Sequence, residues 1–244
     1  MRYLVLSDIH SNLEAFQAVL DDAGPVDEIW CLGDVVGYGP DPNACVELLR
    51  SFPHRCIAGN HDWATLGKLN LRDFNPDARD ANLWNRRQLT PDNLAYLEAL
   101  PEMLTEGPFT LAHGSPRHPI WEYIIYASTA LSNFEHFDTP FCFVGHTHTP
   151  VMFRLRTEDG HETCESLPLS VNGPVPLGPE RMIINPGSVG QPRDGDPRSS
   201  YLLLDTEPLV AEHRRVPYPV EETQAKMIKY DLPLRLVLRL GYGW

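Results

Sequence analysis

Five short turns collect most of the residues in this sequence that are suited to binding a metal. They are S-D-I-H with Asp8 and His10, G-D with Asp34, G-N-H-D with Asn60 and His61, H-G-S with His113, and G-H-T-H with His146 and His148. Each follows a short apolar run. Singly they have plainer readings, because an Asp after a strand commonly caps a helix and a lone His commonly belongs to surface or core. In succession, each offering a carboxylate, an imidazole or an amide, they point to a shared centre. A mixed nitrogen and oxygen set suits Mn, Fe, Zn or Ni, since Mg and Ca favour all-oxygen shells and softer metals favour thiolates. Asp8 and His10, two apart in an extended turn, are placed to face one ion, as are His146 and His148, and the two oxygens of Asp34 allow it to bridge a pair. Two divalent ions about 3.5 to 4 Å apart convert a shared water into hydroxide near neutral pH and aim it in line at phosphorus. Two carboxylates and one hydroxide do not cancel about four positive charges, so the centre attracts a phosphate ester.

The elements around these turns alternate. Tyr3 to Leu6 reads as a strand, Leu13, Phe16, Val19 and Leu20 recur at helical spacing, and Glu28 to Leu32 is again strand-like. Ala44 to Leu49 is helical and Arg55 to Ala58 completes a β-α-β-α-β order. Such alternation predicts a layered α/β fold with right-handed crossovers and ligand sites beyond the carboxyl ends of the strands. Residues 63 to about 100 read as packing helices, with Thr90-Pro91 as a helix entry. Phe109 to Ala112 and Phe141 to Val144 are further strands that each end in a histidine-bearing turn. After Pro150 the helical signal fades, and Val151 to Leu155, Met182 to Ile184, Tyr201 to Leu204 and Leu209 to Val216 read as strands. Residues 170 to 180 are the most loop-like stretch. The alternating leucines of 231 to 240 fit a strand or a helix, and a terminal docking helix is the expectation. No linker, repeat or low-complexity tract interrupts the chain, so residues 1–244 are expected to form one domain.

As a set, D-x-H, G-D, G-N-H-D, H and G-H-x-H resemble the calcineurin-like metallophosphoesterase superfamily, in that family's order from Asp8 to His148. The resemblance implies a sandwich of two mixed β-sheets flanked by helices. It implies one ion held by Asp8, His10, Asp34 and His148 and a second by Asp34, Asn60, His113 and His146, with Asp34 bridging. By the same resemblance His61 is a catalytic group, protonating the leaving oxygen or stabilising charge on phosphate, and Asp62 orients it. G-D-V-V-G-Y-G-P at Gly33 to Pro40 and N-P-G-S-V-G at Asn185 to Gly190 are similar to the small bacterial phosphodiesterase branch. Protein Ser/Thr phosphatases of the superfamily place an Arg after G-D and read G-N-H-E. Here Gly37 and Tyr38 follow Val36, and Asp62 stands for the Glu, which disfavours a protein phosphatase and suits a diester that needs fewer cationic clamps.

Composition bounds the partners. The 244 residues carry 20 Lys plus Arg against 33 Asp plus Glu, a formal charge of −13, which opposes binding to bulk nucleic acid or an anionic membrane. Hydrophobic content of 42% with 22% charged residues is that of a globular protein. Five unclustered cysteines read as reduced core thiols, and no apolar run approaches a membrane span of ~20 residues, so a cytoplasmic enzyme is expected. Oligomeric state leaves no mark. Arg117 and Arg193 are either phosphate contacts or solvated loop charges. Trp121, Tyr123 and Tyr126 either stack on a nucleobase or pack in the core or an oligomer contact. Gly187 and Ser188 either offer N–H groups to an anion or close a tight turn. His54, His136, His161 and His213 fall outside the motifs and receive no role. The function expected is two-metal hydrolysis of a phosphodiester, or less selectively a monoester, in a small molecule or nucleotide. A protein phosphatase, a dinucleoside-polyphosphate phosphatase and a non-catalytic metal-binding scaffold are the alternatives.

Overall fold

The computed structural model describes residues 1–244, apart from the side chain of Pro176. The chain opens with β1 (Arg2–Leu6), α1 (Leu13–Ala23), β2 (Glu28–Cys31), α2 (Pro42–Arg50) and β3 (His54–Cys56), the alternation expected. The stretch read as helical holds α3 (Asn60–Leu66), α4 (Pro76–Gln88) and α5 (Pro91–Glu98), with a single 3-10 turn at Leu71–Asp73. Then follow β4 (Met103–Glu106), β5 (Phe109–Ala112), α6 (Ala127–Asn133) and β6 (Phe141–Phe143). The β-rich half runs through β7 (Val151–Glu158), β8 (His161–Pro168), β9 (Gly173–Pro176), β10 (Met182–Asn185), β11 (Ser199–Thr206) and β12 (Leu209–Val216) before α7 (Val220–Lys229) and the terminal helix α8 (Leu234–Arg239).

The strands form two mixed six-stranded sheets, ordered β3-β2-β1-β11-β12-β9 and β4-β5-β6-β10-β7-β8. Side chains alternate across each strand, and β1 shows the result. Tyr3 and Val5 face the other sheet in a cluster with Trp30, Leu32, Ile57, Phe109, Phe143 and Ile184. Leu4 and Leu6 face outward onto α1 and α2, against Phe16, Val19, Val46 and Leu49. Each fully buried side chain of this size contributes about 1.5–3 kcal/mol. Helix α1 can take that position because the Asn12 carboxamide oxygen caps it, accepting the Ala15 N–H at 3.2 Å, while Phe16, Val19 and Ala23 recur on one face. Helix α6 covers the outer face of the second sheet. Helices α4, α7 and α8 share a smaller cluster around Tyr38.

Three strands depart from the reading of the sequence: β4, β8 and β9. Residues 170–180 are not a loop throughout, since β9 pairs with β12 from Gly173↔His213 to Pro176↔Val210. Pro174 is tolerated there because β9 is an edge strand. Helices α6 and α7 also lie where no helix was expected. Four of the five cysteines are buried, with Cys164 half-buried on β8.

Candidate metal centre

All five motif turns leave the carboxyl ends of strands: β1, β2, β3, β5 and β6. Because β1, β2 and β3 run parallel, as do β5, β6 and β10, those ends converge at one rim of the sandwich. The turn between Asp8 and His10 is not extended as expected. Both residues adopt left-handed backbone, φ 57° and 50°, as do Ser11, Asp34, Tyr38, His146 and His148. Non-glycine residues accept this conformation at about 1–3 kcal/mol each only where surroundings over-determine it. Here the Asp8, His10 and Ser11 N–H groups donate to Gly33, Asp34 and Val35 carbonyls at 3.1, 2.9 and 3.0 Å, locking the first two turns together. The Val189 and Gly190 N–H groups brace the first turn from the other side, donating to Ser7 and Asp8 carbonyls. Glycine is required at position 59, where a Cβ would stand 2.0 Å from Asp34 Oδ1.

The structure brings all seven proposed ligands together, each 2% exposed or less. Their ligand atoms fall into two buried groups, Asp8, His10 and His148, and Asp34, His113 and His146, each spanning no more than 4.8 Å. Asp34 Oδ2 joins the groups, 3.6 Å from His10 Nε2 and 3.4 Å from His113 Nε2. Asn60 Oδ1 lies 3.0 Å from His113 Nε2.

The hydrogen bonding leaves one set of atoms bare. Nδ1–H donates to a main-chain carbonyl in His10 (Val36, 3.2 Å), His113 (Leu32, 2.8 Å) and His148 (Gln191, 2.6 Å). That fixes each tautomer and turns Nε2 toward the centre, the usual outer support of a ligating imidazole. One oxygen of each carboxylate is likewise held by a backbone N–H, Asp8 Oδ2 by His146 at 3.1 Å and Asp34 Oδ1 by His61 at 2.8 Å. The other oxygens, Asp8 Oδ1 and Asp34 Oδ2, and His146 Nε2 are buried without a partner. Unpaired buried carboxylate oxygens are costly. The Nε2 atoms of His10 and His148 stand 3.1 Å apart, an arrangement that calls for a positive charge between two lone pairs. A pair of divalent cations fits this donor set.

Electrostatics in the metal-free protein agree. Burial would raise the Asp34 carboxyl, but His113 and His61 outweigh it and hold it well below the usual range. Burial likewise opposes ionisation of Asp8, and His148 and His10 overcome it. Burial would lower His113, yet Asp34 raises it to about 9, so a proton neutralises the centre there. Burial lowers His148 to about 4, with Arg193 adding to it, and pushes His146 down as well.

His61 stands apart from both groups. Its Nδ1–H donates to Asn82 Oδ1 on α4 at 3.0 Å, and its ring lies 4.9 Å from that of His10. Burial lowers it to about 3 against the pull of Asp34, so the resting ring is neutral. The expectation that Asp62 orients His61 is corrected. Both Asp62 oxygens are taken by backbone N–H groups, Oδ2 by Asp34 and Gly59 at 2.9 Å each and Oδ1 by Val36 at 3.1 Å. Asp62 therefore ties the G-D turn to the start of α3. Asn82 is the residue that sequence reasoning missed, and no motif marks it. Burial, reinforced by Asp34, raises Asp62 to about 7.

Around the rim, Tyr123 stacks on His146 at 3.8 Å between centroids, with Trp121 at 6.2 Å. Neither is a core residue, and Tyr126 is 69% exposed. Tyr123, Ile124, Ile125, Thr147, Val151 and Arg193 line a cavity of about 320 Å³. Arg117 is engaged by Glu122. Gly187 N–H donates to Asn185 Oδ1 at 2.8 Å and Ser188 Oγ to the Asp8 carbonyl at 2.9 Å, which is the tight-turn reading.

Residues 1–208 match the calcineurin-like phosphoesterase superfamily domain. An uncharacterized protein of Methanocaldococcus jannaschii is 39% identical over 98% of this chain and 97% of its own length. A metallophosphoesterase crystal structure from Sphaerobacter thermophilus is 49% identical and superposes with a TM-score of 0.89, covering 100% of this chain and 99% of that one. A symmetrical bis(5′-nucleosyl)-tetraphosphatase of Glaesserella parasuis is 31% identical over 28% of this chain and 27% of its own.

Proposed function

Because this chain belongs to the calcineurin-like phosphoesterase superfamily and is a phosphoester hydrolase, we propose that it is a two-metal phosphodiesterase acting on a small-molecule or nucleotide substrate. The observation that carries the reading is the pair of buried donor groups joined by Asp34, with bare oxygen and nitrogen atoms facing inward. Asp8, His10, Asp34 and His148 would hold one ion and Asp34, Asn60, His113 and His146 the other, with manganese the metal we favour over Fe, Zn or Ni. When bound, the ions supply Lewis acidity toward the phosphoryl oxygens and an activated water. Backbone bonds to the imidazoles and carboxylates set the directions of the donor atoms in advance, so little reorganisation accompanies reaction. His61, held by Asn82, presents Nε2 toward the substrate. A phosphate beside it favours uptake of a proton from solvent at Nε2, and His61 then passes that proton to the leaving oxygen or stabilises the charge on the phosphate. Asp62 acts through position, fixing the turn that carries Asp34.

The rim cavity beside His146 is wide enough for the organic part of an ester, and Tyr123 and Ile125 offer it apolar surface. Local identity to the tetraphosphatases supports a nucleotide. We take residues 1–244 as a single domain in the cytoplasm. No helix among the described residues is long and apolar enough to cross a membrane. The direct test is turnover of bis(p-nitrophenyl) phosphate and p-nitrophenyl phosphate by protein reloaded with manganese. The diester is expected to be the better substrate, and metal-replete protein inert toward both would overturn the reading.

A further inference from the structure

Helix α8 lies beyond the residues that match the superfamily domain, yet it reaches the metal centre. Its Arg235 and Arg239, with Arg193, Tyr38, Tyr123 and Asp77, line a second cavity of about 240 Å³. That is room for a phosphate group of five heavy atoms at about 30 Å³ for each water-sized unit. Two walls of the cavity are also walls of the centre. The Tyr38 ring lies 4.6 Å from His10 and 4.3 Å from His61, and Tyr123 is the ring stacked on His146. On its other side Tyr38 meets Arg193, whose guanidinium carbon is 5.7 Å from the ring centroid and whose Nη2 donates to the hydroxyl at 3.2 Å. The cavity and the donor groups are therefore one aromatic ring apart.

Among the described residues no Asp or Glu holds any of the three guanidinium groups, a condition they share with Arg2, Arg50, Arg72, Arg86, Arg87 and Arg181, but these three face one cavity. Arg117, Arg154, Arg156, Arg198, Arg214 and Arg215 all form ion pairs with carboxylates. Arg193 donates only to neutral oxygens, Tyr38 Oη and Gln191 Oε1, and its Nε is buried without a partner. Arg239 donates to the Trp244 main-chain oxygen. Burial, then Arg193, lowers its guanidinium to about 10. Among the described residues no Asp or Glu forms an ion pair with Arg193, Arg235 or Arg239, and Asp77, the one acidic side chain on the cavity wall, stands out of ion-pair range. Three like charges around one cavity repel one another, an anion bound between them relieves that repulsion, and a fork of donors suits phosphate.

We infer that Arg193, Arg235 and Arg239 form a subsite for a more distant phosphate of the substrate, so that the preferred ester belongs to the class of nucleotides with a chain of three or more phosphates. This inference rests on the phosphodiesterase reading for its substrate and on the arginine cavity for its location. The scissile phosphate lies at the metal centre, and the cavity, on the far side of the Tyr38 ring, takes a phosphate further along the same chain rather than the one directly bonded to it. The C-terminal helix then sets which esters are chosen while the strand-end turns carry out hydrolysis.

The experiment compares manganese-loaded wild type, Arg235→Gln and the Arg235→Gln/Arg239→Gln pair on bis(p-nitrophenyl) phosphate and on diadenosine polyphosphates. The ratio of kcat/KM for the polyphosphate over the one-phosphate diester is expected to fall about tenfold with each arginine lost. Binding of inorganic pyrophosphate to chelator-treated protein, followed by calorimetry, is expected to weaken by a similar factor. Variants that scale both substrates equally, or that bind pyrophosphate as wild type does, overturn the inference while leaving diester hydrolysis intact. Absence of turnover on every ester overturns the phosphodiesterase reading instead, and pyrophosphate binding then decides the subsite alone. Should the Arg239 change unfold α8, the exposed Arg235 carries the comparison.

Discussion

The strand-end turns and the C-terminal helix meet across Tyr38 but are built by opposite means. Of the ten non-glycine residues with left-handed backbone among the described residues, seven lie in or beside the turns, and the seven proposed ligands are 2% exposed or less. Their positions are dictated by main-chain hydrogen bonds, which few substitutions of neighbours can alter. Helix α8 has six residues, leaves Leu234 and Leu238 64% and 53% exposed, and contributes its arginines as side chains alone. The difference teaches that reaction chemistry here is anchored in backbone and substrate choice in replaceable side chains.

That contrast can be broken first at its strongest point. Asp34→Ala is expected to lower kcat/KM by about a thousandfold or more and to reduce bound metal below two equivalents, read by kinetics and elemental analysis. A mild loss with full metal content would mean that Asp34 does not join the two groups. His61→Ala is expected to cost about a hundredfold to a thousandfold in kcat with metal content unchanged. Loss of metal in that variant would move His61 into the ligand set. A smaller effect concerns protons. His113 is raised to about 9 in the metal-free protein and must be deprotonated to bind a cation, so metal uptake between pH 6.5 and 9 should release a proton. Apparent affinity should rise by about tenfold per pH unit across that window. The sign in stability follows: a base raised on folding stabilises the metal-free protein below its unfolded value near 6.5, and that contribution is lost as pH passes through about 9. Proton release measured in weak buffer that stays near zero across the window would count against His113 as a ligand. The smallest effect is at Gly37, where φ is +98° and an added Cβ would stand 2.8 Å from His61 Nδ1. Gly37→Ala should lower stability by about 1–3 kcal/mol and reduce kcat through displacement of His61, whereas Leu238→Ala on the exposed face of α8 should change neither. Equal melting temperatures for the two variants would erase the distinction between the regions.

The sequence was most legible where burial enforces a pattern. Strands such as β1, β6 and β10 are covered on both faces and appear as continuous apolar runs. The missed strands β4, β8 and β9 are all edges or edge partners of the sheets, and β8 exposes most of its side chains, so pairing with a neighbour rather than side-chain pattern holds them. The ligand residues could be read because each type is tied to its chemistry. Asn82 could not, since an asparagine in mid-helix carries no signal until α4 is seen to pack its carboxamide on His61. Asp62 misled because the family resemblance implied a contact with His61 that this fold does not make, its carboxylate being spent on three backbone N–H groups. The arginines of α8 escaped because convergence with Arg193 is a property of the folded chain.

The position of β1 bears on synthesis. This first strand is flanked by β2 and by β11, with Arg2 opposite Asp205 and Val5 opposite Leu202. A nascent chain has translated every proposed ligand by His148 but still has an open edge on the strand that leads to Asp8. The segment that braces that turn, Val189 and Gly190, emerges only just before β11. At about 5–20 residues per second, the wait from β1 to β11 is on the order of 10–40 s. Throughout it an apolar strand edge stands unpaired, the condition in which chains associate with one another. The centre therefore gains its last brace late, once the Val189–Gly190 turn and β11 have been made.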